Sequence, residues 1–454
     1  MMLKRKIEKK IEYWLEHREI RKAFLIEGAR QVGKTFIIRS VMERMGVNYV
    51  EVNLLEDTDF AASVDRIKSV DDLVSYISLM KNVTLERGNT VIFFDEIQKG
   101  KELIAKIKFF VDEGSFRYIL SGSNLGIAVR SISSVPVGYL IKERMYPLDF
   151  EEFLQIYSFS DEVKAVLMDS FDNLTPVPEY IHNEIMRRYY YYLIVGGMPD
   201  AVCSFMEKHD LNEVGLIQES IIDQYKDDFS KYEEEDKKLF LSSIYDRIPA
   251  QLMNPNKRFN YASVKKGLTF DRSFDSFMWL TYAGAALPVY NVASPSMPLV
   301  LNEKSSLLKL FLSDVGLLSY MLGEETRRAM LLRHDDINYG AVFENAVAME
   351  LFCHGFSVYY YNSKKHGEID FVVEYKGNVL PVEVKSGKTY RRHSALTNLT
   401  LMKDQYGIND ALVLSTFNVK KENGITYLPV YMLMFLKSEE HDLPVVDFEP
   451  LLLS

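Results

Sequence analysis

The sequence of 454 residues contains only two cysteines, Cys203 and Cys353. Two cysteines form neither the disulfide framework of a small secreted domain nor a cysteine-rich metal cluster, and a reducing cytoplasm is therefore the expected compartment. No apolar run reaches the about 18 residues that a membrane-spanning helix needs. The first ten residues are basic but lack the apolar segment of a secretory signal. We therefore expect a cytoplasmic protein with no membrane partner.

The sequence also lacks an excess of positive charge. It has 64 acidic residues against 54 lysines and arginines, which gives a formal net charge of −10. A protein that coats nucleic acid non-specifically needs the opposite sign, although a local basic groove is compatible with this total. The hydrophobic content of 47% is enough for buried cores. A chain of this length predicts about two to four domains.

One loop fits the pattern G-x-x-x-x-G-K-[ST] at every fixed position. Its residues are Gly28, Ala29, Arg30, Gln31, Val32, Gly33, Lys34 and Thr35. The apolar segment 23–27 predicts a buried strand before the loop, and segment 36–42 predicts a helix after it, which a chance glycine-rich turn would not require. Glycines let the backbone wrap a phosphate chain, and the N–H groups of a helix N-terminus point at it. We predict that the loop binds ATP, with Lys34 on the β- and γ-phosphates and Thr35 on Mg²⁺.

A second element supports hydrolysis as well as binding. Residues 90–96 form an apolar run that ends in Asp95 and Glu96. In a parallel sheet, such carboxylates lie at the edge where ligands bind. We predict that Asp95 holds Mg²⁺ and that Glu96 acts as the base that polarises the attacking water. The alternative is a strand whose end is acidic by chance.

Residues 20–125 alternate strand and helix patterns, which predicts a doubly wound parallel sheet and an α/β fold. Further strands are expected near 48–54 and 116–122, with helices near 71–87 and 101–112. The polar residues Ser123 and Asn124 follow the last of these strands. They lie either at the nucleotide or in an ordinary polar turn.

On these residues the chain resembles AAA-type ATPases. Residues 28–35 look like the Walker A loop, 93–96 like Walker B, and 120–124 like the sensor strand, which implies that Ser123 and Asn124 contact the nucleotide. Residues 145–154, which read MYPLDFEEFL, are similar to the P-L-[ST]-F-x-E-F signature of a prokaryotic ATPase group with a C-terminal domain of unknown function, the DUF4143 type.

Many members of that group carry a Gly-Arg pair shortly before this signature, whereas this chain has Gly138 and Tyr139. The source of an arginine finger therefore stays open between Arg130 and Arg144. Residues 151–215 are expected to be a helical lid. In the resembled family its Gly-Gly-Met-Pro segment belongs to the lid, which implies that Pro199 contacts adenine; a plain helix break is the alternative.

Residues 216–332 are expected to form a winged-helix-like module. Its helix–turn–helix-like run is predicted to begin at 248–252, and short strands are then expected to flank residues 291–295 and 308–314. Such a module either packs between domains or contacts DNA. Since the segment lacks a dense basic stripe, packing is the favoured role.

Residues 333–454 change pattern. A helix carries Glu344, a strand carries Asp370, and the next strand carries Glu383 and Lys385, which point to the same side because they are two residues apart. Carboxylates and a lysine on one face suit a divalent-metal site. A salt bridge across the hairpin is the alternative.

This arrangement resembles the PD-(D/E)xK nuclease fold. The resemblance implies that Asp370 and Glu383 bind Mg²⁺, that Lys385 positions or activates water, and that Glu344 supports the metal. A basic group nearby either holds phosphates or forms a solvated face. Its members are Lys364, Lys365, Lys388, Arg391 and Arg392.

The sequence thus predicts four units: an ATPase domain (1–150), the lid (151–215), the winged-helix-like module (216–332) and the nuclease-like domain (333–454). The first hypothesis is an ATPase coupled to a metal-dependent nuclease or nucleic-acid-binding domain that acts on DNA or RNA. The second is an ATP-dependent switch whose last domain only binds a partner or nucleic acid. The third is a regulator whose winged helix binds a DNA sequence. A homo-oligomer or a protein partner is compatible with each.

Overall fold

A computed structural model describes residues 3–123, 137–229, 235–333, 339–387, 394–401 and 406–438. These residues form an α/β protein with two separate sheets. Several residues named above lie outside the described ranges: Asn124, Arg130, Lys388, Arg391 and Arg392. Across the described ranges, no helix combines the length and the apolarity needed to cross a membrane.

The first sheet has five strands, all parallel, in the order β2-β3-β4-β1-β5. The strands are β1 (Ala23–Gly28), β2 (Tyr49–Asn53), β3 (Val91–Asp95), β4 (Arg117–Gly122) and β5 (Leu140–Met145). Every residue of β3 is buried, because both faces of the sheet are covered. The predicted parallel sheet is confirmed, with β5 as an additional edge strand.

Helices cover both faces of this sheet. They are α1 (Ile7–Glu16), α2 (Lys34–Arg44), α3 (Thr58–Ser63), α4 (Val70–Lys81) and α5 (Lys101–Glu113). Neighbouring residues of a strand point to opposite faces, so Phe93 lies in the same buried cluster as Ile38 of α2, and Phe94 lies in a second cluster with Leu103 of α5. Ser69 and Asp72 form a capping box that begins α4.

The middle of the chain is largely helical. Its helices are α6 (Phe150–Phe153), α7 (Asp161–Asp172), α8 (Glu179–Val195), α9 (Pro199–Lys208), α10 (Leu211–Phe229), α11 (Glu235–Met253), α12 (Phe270–Tyr282), α13 (Val315–Met321) and α14 (Glu324–Leu332). The expected helix start at 248–252 is wrong, because Pro249 lies inside α11. Short 3₁₀ turns connect the elements at Val64–Arg66, Ile97–Lys99, Val137–Tyr139, Leu154–Tyr157, Tyr261–Ser263, Leu299–Asn302 and Val430–Phe435.

The second sheet is mixed and has eight strands in the described residues, in the order β12-β13-β11-β10-β9-β8-β6-β7. The strands are β6 (Ala286–Val292), β7 (Glu303–Leu312), β8 (Tyr359–Ser363), β9 (Gly367–Tyr375), β10 (Asn378–Lys385), β11 (Ala411–Ser415), β12 (Lys420–Glu422) and β13 (Ile425–Pro429). Helices α15 (Gly340–Cys353) and α16 (Ser394–Leu401) accompany it. Residues 341–351 of α15 are all buried, so this helix is a central part of the core.

The hairpin of β6 and β7 belongs to this second sheet, because β6 pairs in parallel with β8. The strands expected on either side of residue 295 therefore form, and they join residues of the predicted winged-helix-like module to the C-terminal sheet. The winged-helix and nuclease-fold interpretations, and the four domain boundaries, stay predictions.

Candidate functional site

The phosphate-binding pattern lies between the end of β1 and the start of α2. Gly33 has a φ of 91°, in the left-handed region that favours glycine, and the helix begins at the next residue. Lys34 is buried, and its Nζ donates to the carbonyl oxygens of Gly28 at 3.1 Å and Ala29 at 2.6 Å. The loop thus folds back over the lysine at the N-terminus of a helix, which is an arrangement suited to anions.

Burial changes the pKa of the Lys34 ammonium. It lowers the pKa of Lys34 to about 8, although the nearby carboxylates of Glu96 and Asp95 act in the opposite direction. A desolvated ammonium that faces a phosphate chain gains a partner for its charge. The site therefore favours an anionic ligand.

Asp95 is the centre of a hydrogen-bond network at the end of β3. Thr35 Oγ1 donates to Asp95 Oδ2 at 2.9 Å, and Asn53 Nδ2 lies 3.4 Å from the same oxygen. The Ser121 hydroxyl donates to Asp95 Oδ1. The structure thus brings Thr35 and Asp95 together, and their oxygens are the ligand type that Mg²⁺ prefers. Ser121 and Asn53 carry polar side chains near strand ends, which is the signal that could have identified them.

Glu96 follows in a left-handed conformation, with a φ of 53°. Gln98 Nε2 donates to its carboxylate and also to Ser123 Oγ, at 3.1 Å. Gln98 therefore connects Glu96 to the end of β4, where Ser123 is wholly buried. A non-glycine residue held in this conformation is a hallmark of functional sites.

An apolar cavity of about 270 Å³ opens beside the loop. Val32, Gly33 and Ile37 line one side, and Leu148 and Pro199 line the other. The Cγ of Pro199 lies 3.7 Å from the point where a Cβ on Gly33 would stand. The structure therefore brings Pro199 to the loop, next to a space suited to a flat apolar ring.

Later parts of the chain contact the same loop. Arg30 forms an ion pair of 2.5 Å with Asp228 of α10, and Tyr225 donates to the Arg30 carbonyl at 3.3 Å. Gln31 is hydrogen-bonded to Gln224. A Cβ on Gly284, after α12, would lie 2.9 Å from the Ala29 nitrogen. The loop is thus packed against helical segments outside the first sheet.

Arg144 is the arginine-finger candidate that lies within the described residues, and its side chain contacts Thr281 and Tyr146. Its Nη2 donates to the Thr281 carbonyl at 2.8 Å, and its guanidinium lies 5.3 Å from the Tyr146 ring centroid. The role of an arginine finger therefore stays a prediction for both Arg144 and Arg130.

The second predicted site lies where α15 meets β9 and β10. Asp370 Oδ2 accepts a hydrogen bond of 2.9 Å from the Val384 nitrogen, and Lys385 Nζ lies 2.5 Å from Glu383 Oε1. Burial, and then the charge of Asp370, raise the pKa of Glu344 to about 7 and that of Glu383 to about 8. The structure therefore brings the predicted acids into one electrostatic group.

Two lysines that the sequence reasoning missed enter this group. Lys257 forms an ion pair with Glu344, and the wholly buried Lys309 of β7 lies 2.7 Å from Glu368 Oε1. Lys309 interrupts an apolar strand, which is a signal for a buried charge; Lys257 has no such signal. Glu368 lies two residues before Asp370, and this spacing was also available from the sequence.

The distance between potential metal ligands distinguishes the acids around Asp370 from a second group of buried side chains. In the described part of the chain, Asp149, Glu350 and His354 are the set whose ligand atoms all lie within 4.8 Å of one another. Glu344, Asp370 and Glu383 do not meet that spacing. The predicted second site combines ion pairs with two buried carboxylate oxygens, Glu344 Oε2 and Glu383 Oε2, that have no hydrogen-bond partner within the described ranges.

Comparison with known families divides the chain into three segments. Residues 20–154 match an AAA domain family, AAA_14. Residues 186–328 match a domain of unknown function, DUF8612, and residues 339–433 match another, DUF4143. The middle match spans parts of both the predicted lid and the predicted winged-helix-like module.

Curated relatives are distant. An uncharacterized protein of Methanocaldococcus jannaschii, MJ1544, is 21% identical over 77% of this chain and 71% of its own length. An uncharacterized protein of Haemophilus influenzae is 21% identical over 84% of this chain and 86% of its own length.

Solved structures include the Walker-type ATPase PABY2304 of Pyrococcus abyssi, which is 14% identical, covers 71% of this chain and 96% of its own, and has a TM-score of 0.42. The ORC1 protein of Aeropyrum pernix in complex with DNA is 13% identical, covers 74% of this chain and 93% of its own, and has a TM-score of 0.28. TM-scores this low support no statement about this chain. The family matches agree with the strand–loop–helix geometry at Lys34. They show that the chain has an AAA-type P-loop ATPase domain followed by a DUF4143 domain.

Proposed function

We propose that the chain binds ATP with Mg²⁺ at residues 28–35 and hydrolyses it. The observation that carries this proposal is the pairing of Thr35 with Asp95, at 2.9 Å, beside the buried Lys34. These residues supply a hydroxyl and a carboxylate for the metal and an ammonium for the phosphates. The oxygen donors fit Mg²⁺, which supplies charge neutralisation between the phosphates when bound.

The residues then have distinct tasks. Lys34 and the N–H groups at the start of α2 bind the β- and γ-phosphates. The cavity beside Pro199 accepts the adenine ring. Glu96 accepts a proton from the attacking water, and Gln98 keeps that carboxylate oriented toward the end of β4.

Replacing Glu96 by glutamine tests the hydrolytic step. The substitution keeps the size and the hydrogen-bonding ability of the side chain but removes its capacity to accept a proton. We expect ATP hydrolysis to fall by about 10²- to 10⁴-fold, while ATP affinity stays within a few-fold of that of the wild type. Phosphate release and equilibrium nucleotide binding measure the two effects separately.

Glu102→Gln is a matched control, because Glu102 is an exposed glutamate at the start of α5. It should hydrolyse ATP at the wild-type rate. Wild-type turnover in Glu96→Gln would remove Glu96 as the base and leave the phosphate-binding assignment intact.

We further propose that the carboxylate group of the DUF4143 domain binds a divalent metal and cleaves nucleic acid. Two observations support this. Glu344 Oε2 and Glu383 Oε2 are buried without a hydrogen-bond partner, and both carboxyls have raised pKa values because of burial and the charge of Asp370. A divalent cation would neutralise this charge, and Lys385 would position the attacking water.

The ion pairs in the same group favour the second candidate function, a switch without cleavage. Lys257 pairs with Glu344, and Lys385 pairs with Glu383, so part of the negative charge is balanced by lysines. In that case ATP controls how the DUF4143 domain binds a protein or nucleic acid. The ion pair between Arg30 and Asp228 of α10 connects the nucleotide loop to the helical region that precedes the DUF4143 domain.

Asp370→Asn distinguishes these functions. Asparagine keeps an oxygen that accepts from the Val384 nitrogen but loses the negative charge. If the site is a nuclease, we expect cleavage of plasmid, single-stranded DNA or RNA in Mg²⁺ or Mn²⁺ to fall by at least about 100-fold, with unchanged ATP hydrolysis. Gel assays with and without ATP measure the cleavage.

Asp410→Asn is the control, since Asp410 is an exposed acid in the same domain. Equal cleavage by the wild type and Asp370→Asn would remove Asp370 from the reaction. If the wild-type protein cleaves none of these substrates, the switch is the better account.

A further inference from the structure

A second group of titratable side chains lies outside both sites described above. It contains Asp149, at the start of α6, together with Glu350 near the end of α15 and His354 just after that helix. All three residues are buried. The group therefore joins the AAA domain to the DUF4143 domain in the interior of the protein.

The tautomer of His354 follows from its contacts. Its Nδ1 lies 2.7 Å from the Leu436 carbonyl oxygen, which can only accept a hydrogen bond, so Nδ1 carries the proton. In a neutral ring, Nε2 then has a free lone pair. A histidine whose Nδ1 is held by a backbone carbonyl in this way is oriented as metal-ligating histidines are.

The lone pair points to two carboxylates. His354 Nε2 lies 3.4 Å from Glu350 Oε1 and 3.7 Å from Asp149 Oδ2. Among the described residues, neither Nε2 nor Glu350 Oε1 has a hydrogen-bond partner, and only 2% of the His354 side chain is exposed. A buried nitrogen and a buried oxygen thus face each other, an arrangement that costs free energy unless a proton or a metal cation lies between them.

The distances fit a shared cation. Zinc binds histidine nitrogen and carboxylate oxygen at about 2.0–2.2 Å in a tetrahedron, so two ligands of one ion are separated by about 3.3–3.6 Å. The separations of 3.4 and 3.7 Å at His354 are close to this range. One nitrogen and two oxygens from three side chains match a zinc site that keeps its fourth position for water.

The surrounding charges are compatible with a cation. Burial, and then the charge of Asp149, raise the pKa of Glu350 to about 7, although His354 and Lys6 act in the opposite direction. Lys6 Nζ lies 2.5 Å from Asp149 Oδ2, which is the oxygen nearest to His354. A carboxylate oxygen has two lone pairs, so Asp149 Oδ2 can accept a hydrogen bond from Lys6 and bind a metal ion at the same time.

We propose that Asp149, Glu350 and His354 form a binding site for a divalent transition metal of the zinc type. The site lies between the two domains, and a bound ion ties the start of α6 to the end of α15. This role is independent of ATP hydrolysis and of any cleavage by the carboxylates near Asp370.

Co²⁺ binding to the full chain tests the proposal, because tetrahedral Co²⁺ has a visible absorption spectrum. The titration is carried out in excess Mg²⁺, which occupies sites made only of oxygen ligands but competes weakly for imidazole. We expect one Co²⁺ per chain that Zn²⁺ displaces. Replacing His354 by alanine should weaken Co²⁺ binding by at least about 100-fold.

Two variants distinguish the loss of a metal ligand from a change in local charge and from a loss of folding. His354→Arg places a positive charge between the acids, as a bound cation would, but cannot bind a metal ion. Asp149→Ser keeps a residue that caps α6, where Asp149 Oδ1 now accepts from the Glu152 nitrogen at 2.9 Å. Both should lose the Co²⁺ spectrum. Asp149→Ser should also unfold at a lower temperature than the metal-free wild type, because Lys6 loses one of its two carboxylate partners, so Co²⁺ binding is compared at a temperature where each variant is folded.

Two results would overturn the proposal. One is the absence of any Co²⁺ or Zn²⁺ binding by the wild type in excess Mg²⁺. That result would indicate that His354 is an imidazolium paired with the two carboxylates. The other is an unchanged Co²⁺ spectrum and affinity in folded His354→Arg or Asp149→Ser. Neither result bears on ATP hydrolysis, which Glu96→Gln tests separately.

Discussion

Replacing Lys34 by alanine is expected to weaken ATP binding by at least about 30-fold. Truncating one partner of a buried, hydrogen-bonded charge pair costs roughly 2–5 kcal/mol, and Lys34 is buried at the N-terminus of α2. Within the described residues, its ammonium donates to the backbone carbonyls of Gly28 and Ala29 and has no ion pair with a carboxylate. The stability of the fold should therefore change much less than the affinity, as thermal unfolding and nucleotide titration would show.

Lys142→Ala is the control, because Lys142 is an exposed lysine on the neighbouring strand β5. It should bind ATP as the wild type does. The pH dependence gives a second readout: burial lowers the pKa of Lys34 to about 8, so its ammonium is lost as the pH rises through that value. Wild-type affinity should fall above pH 8, and the affinity of Lys34→Ala should not. Tight binding by the alanine variant would contradict the assignment of the loop.

The strand–loop–helix arrangement around residues 28–35 could be predicted from the sequence because its determinants are local. The loop 28–35 contains its own glycines, lysine and threonine, and the strand that ends in Asp95 is a continuous apolar run. Strand β5 was missed for the opposite reason. It lies at the edge of the sheet, and its alternating exposed residues include Lys142 and Arg144, so its sequence is not strongly apolar.

The DUF4143 region shows where sequence patterns fail. The spacing of Glu383 and Lys385 predicted their common side, and Asp370 lies on the adjacent antiparallel strand as expected. Lys257 and Lys309 come from segments far earlier in the chain, and only the fold brings them to these acids. A local pattern holds no information about partners at such a separation.

The partners of His354 are also distant in the sequence and could not be predicted from a local pattern. In the sequence it is a single histidine after a buried helix, and its partners are Asp149, in another domain, and the carbonyl of Leu436. Asp149 was noted only as part of a signature. Their convergence depends on how α6 and α15 pack together, which no period or spacing in the sequence encodes.

The Gly-Gly-Met-Pro segment is the junction at which the helical region meets the AAA domain. Helix α8 ends before Gly196, and α9 begins at Pro199. The Gly197 nitrogen donates to Asp314 Oδ2 at 2.6 Å, and its carbonyl oxygen accepts from the Leu148 nitrogen at 2.7 Å. This backbone pairing brings Gly197 so close to Leu148 that a side chain has no space.

Gly197→Ala is therefore expected to destabilise the protein by about 3–5 kcal/mol, beyond the usual range for a single added methyl group. A Cβ on Gly197 would lie 2.1 Å from the Leu148 oxygen and 2.7 Å from its nitrogen. Both are backbone atoms, so no side-chain rotation relieves the contact. Denaturant unfolding measures the loss, and soluble expression reports a complete failure to fold.

Gly138→Ala is the matched control, because a Cβ at Gly138 would meet no atom within 4 Å. It should unfold within about 1 kcal/mol of the wild type, since surface substitutions away from special features have small effects. Because Pro199 follows Gly197 by two residues and lies next to Gly33, a folded Gly197→Ala protein should also bind ATP more weakly. Equal stability of the two alanine variants would show that the junction at Leu148 can open without cost.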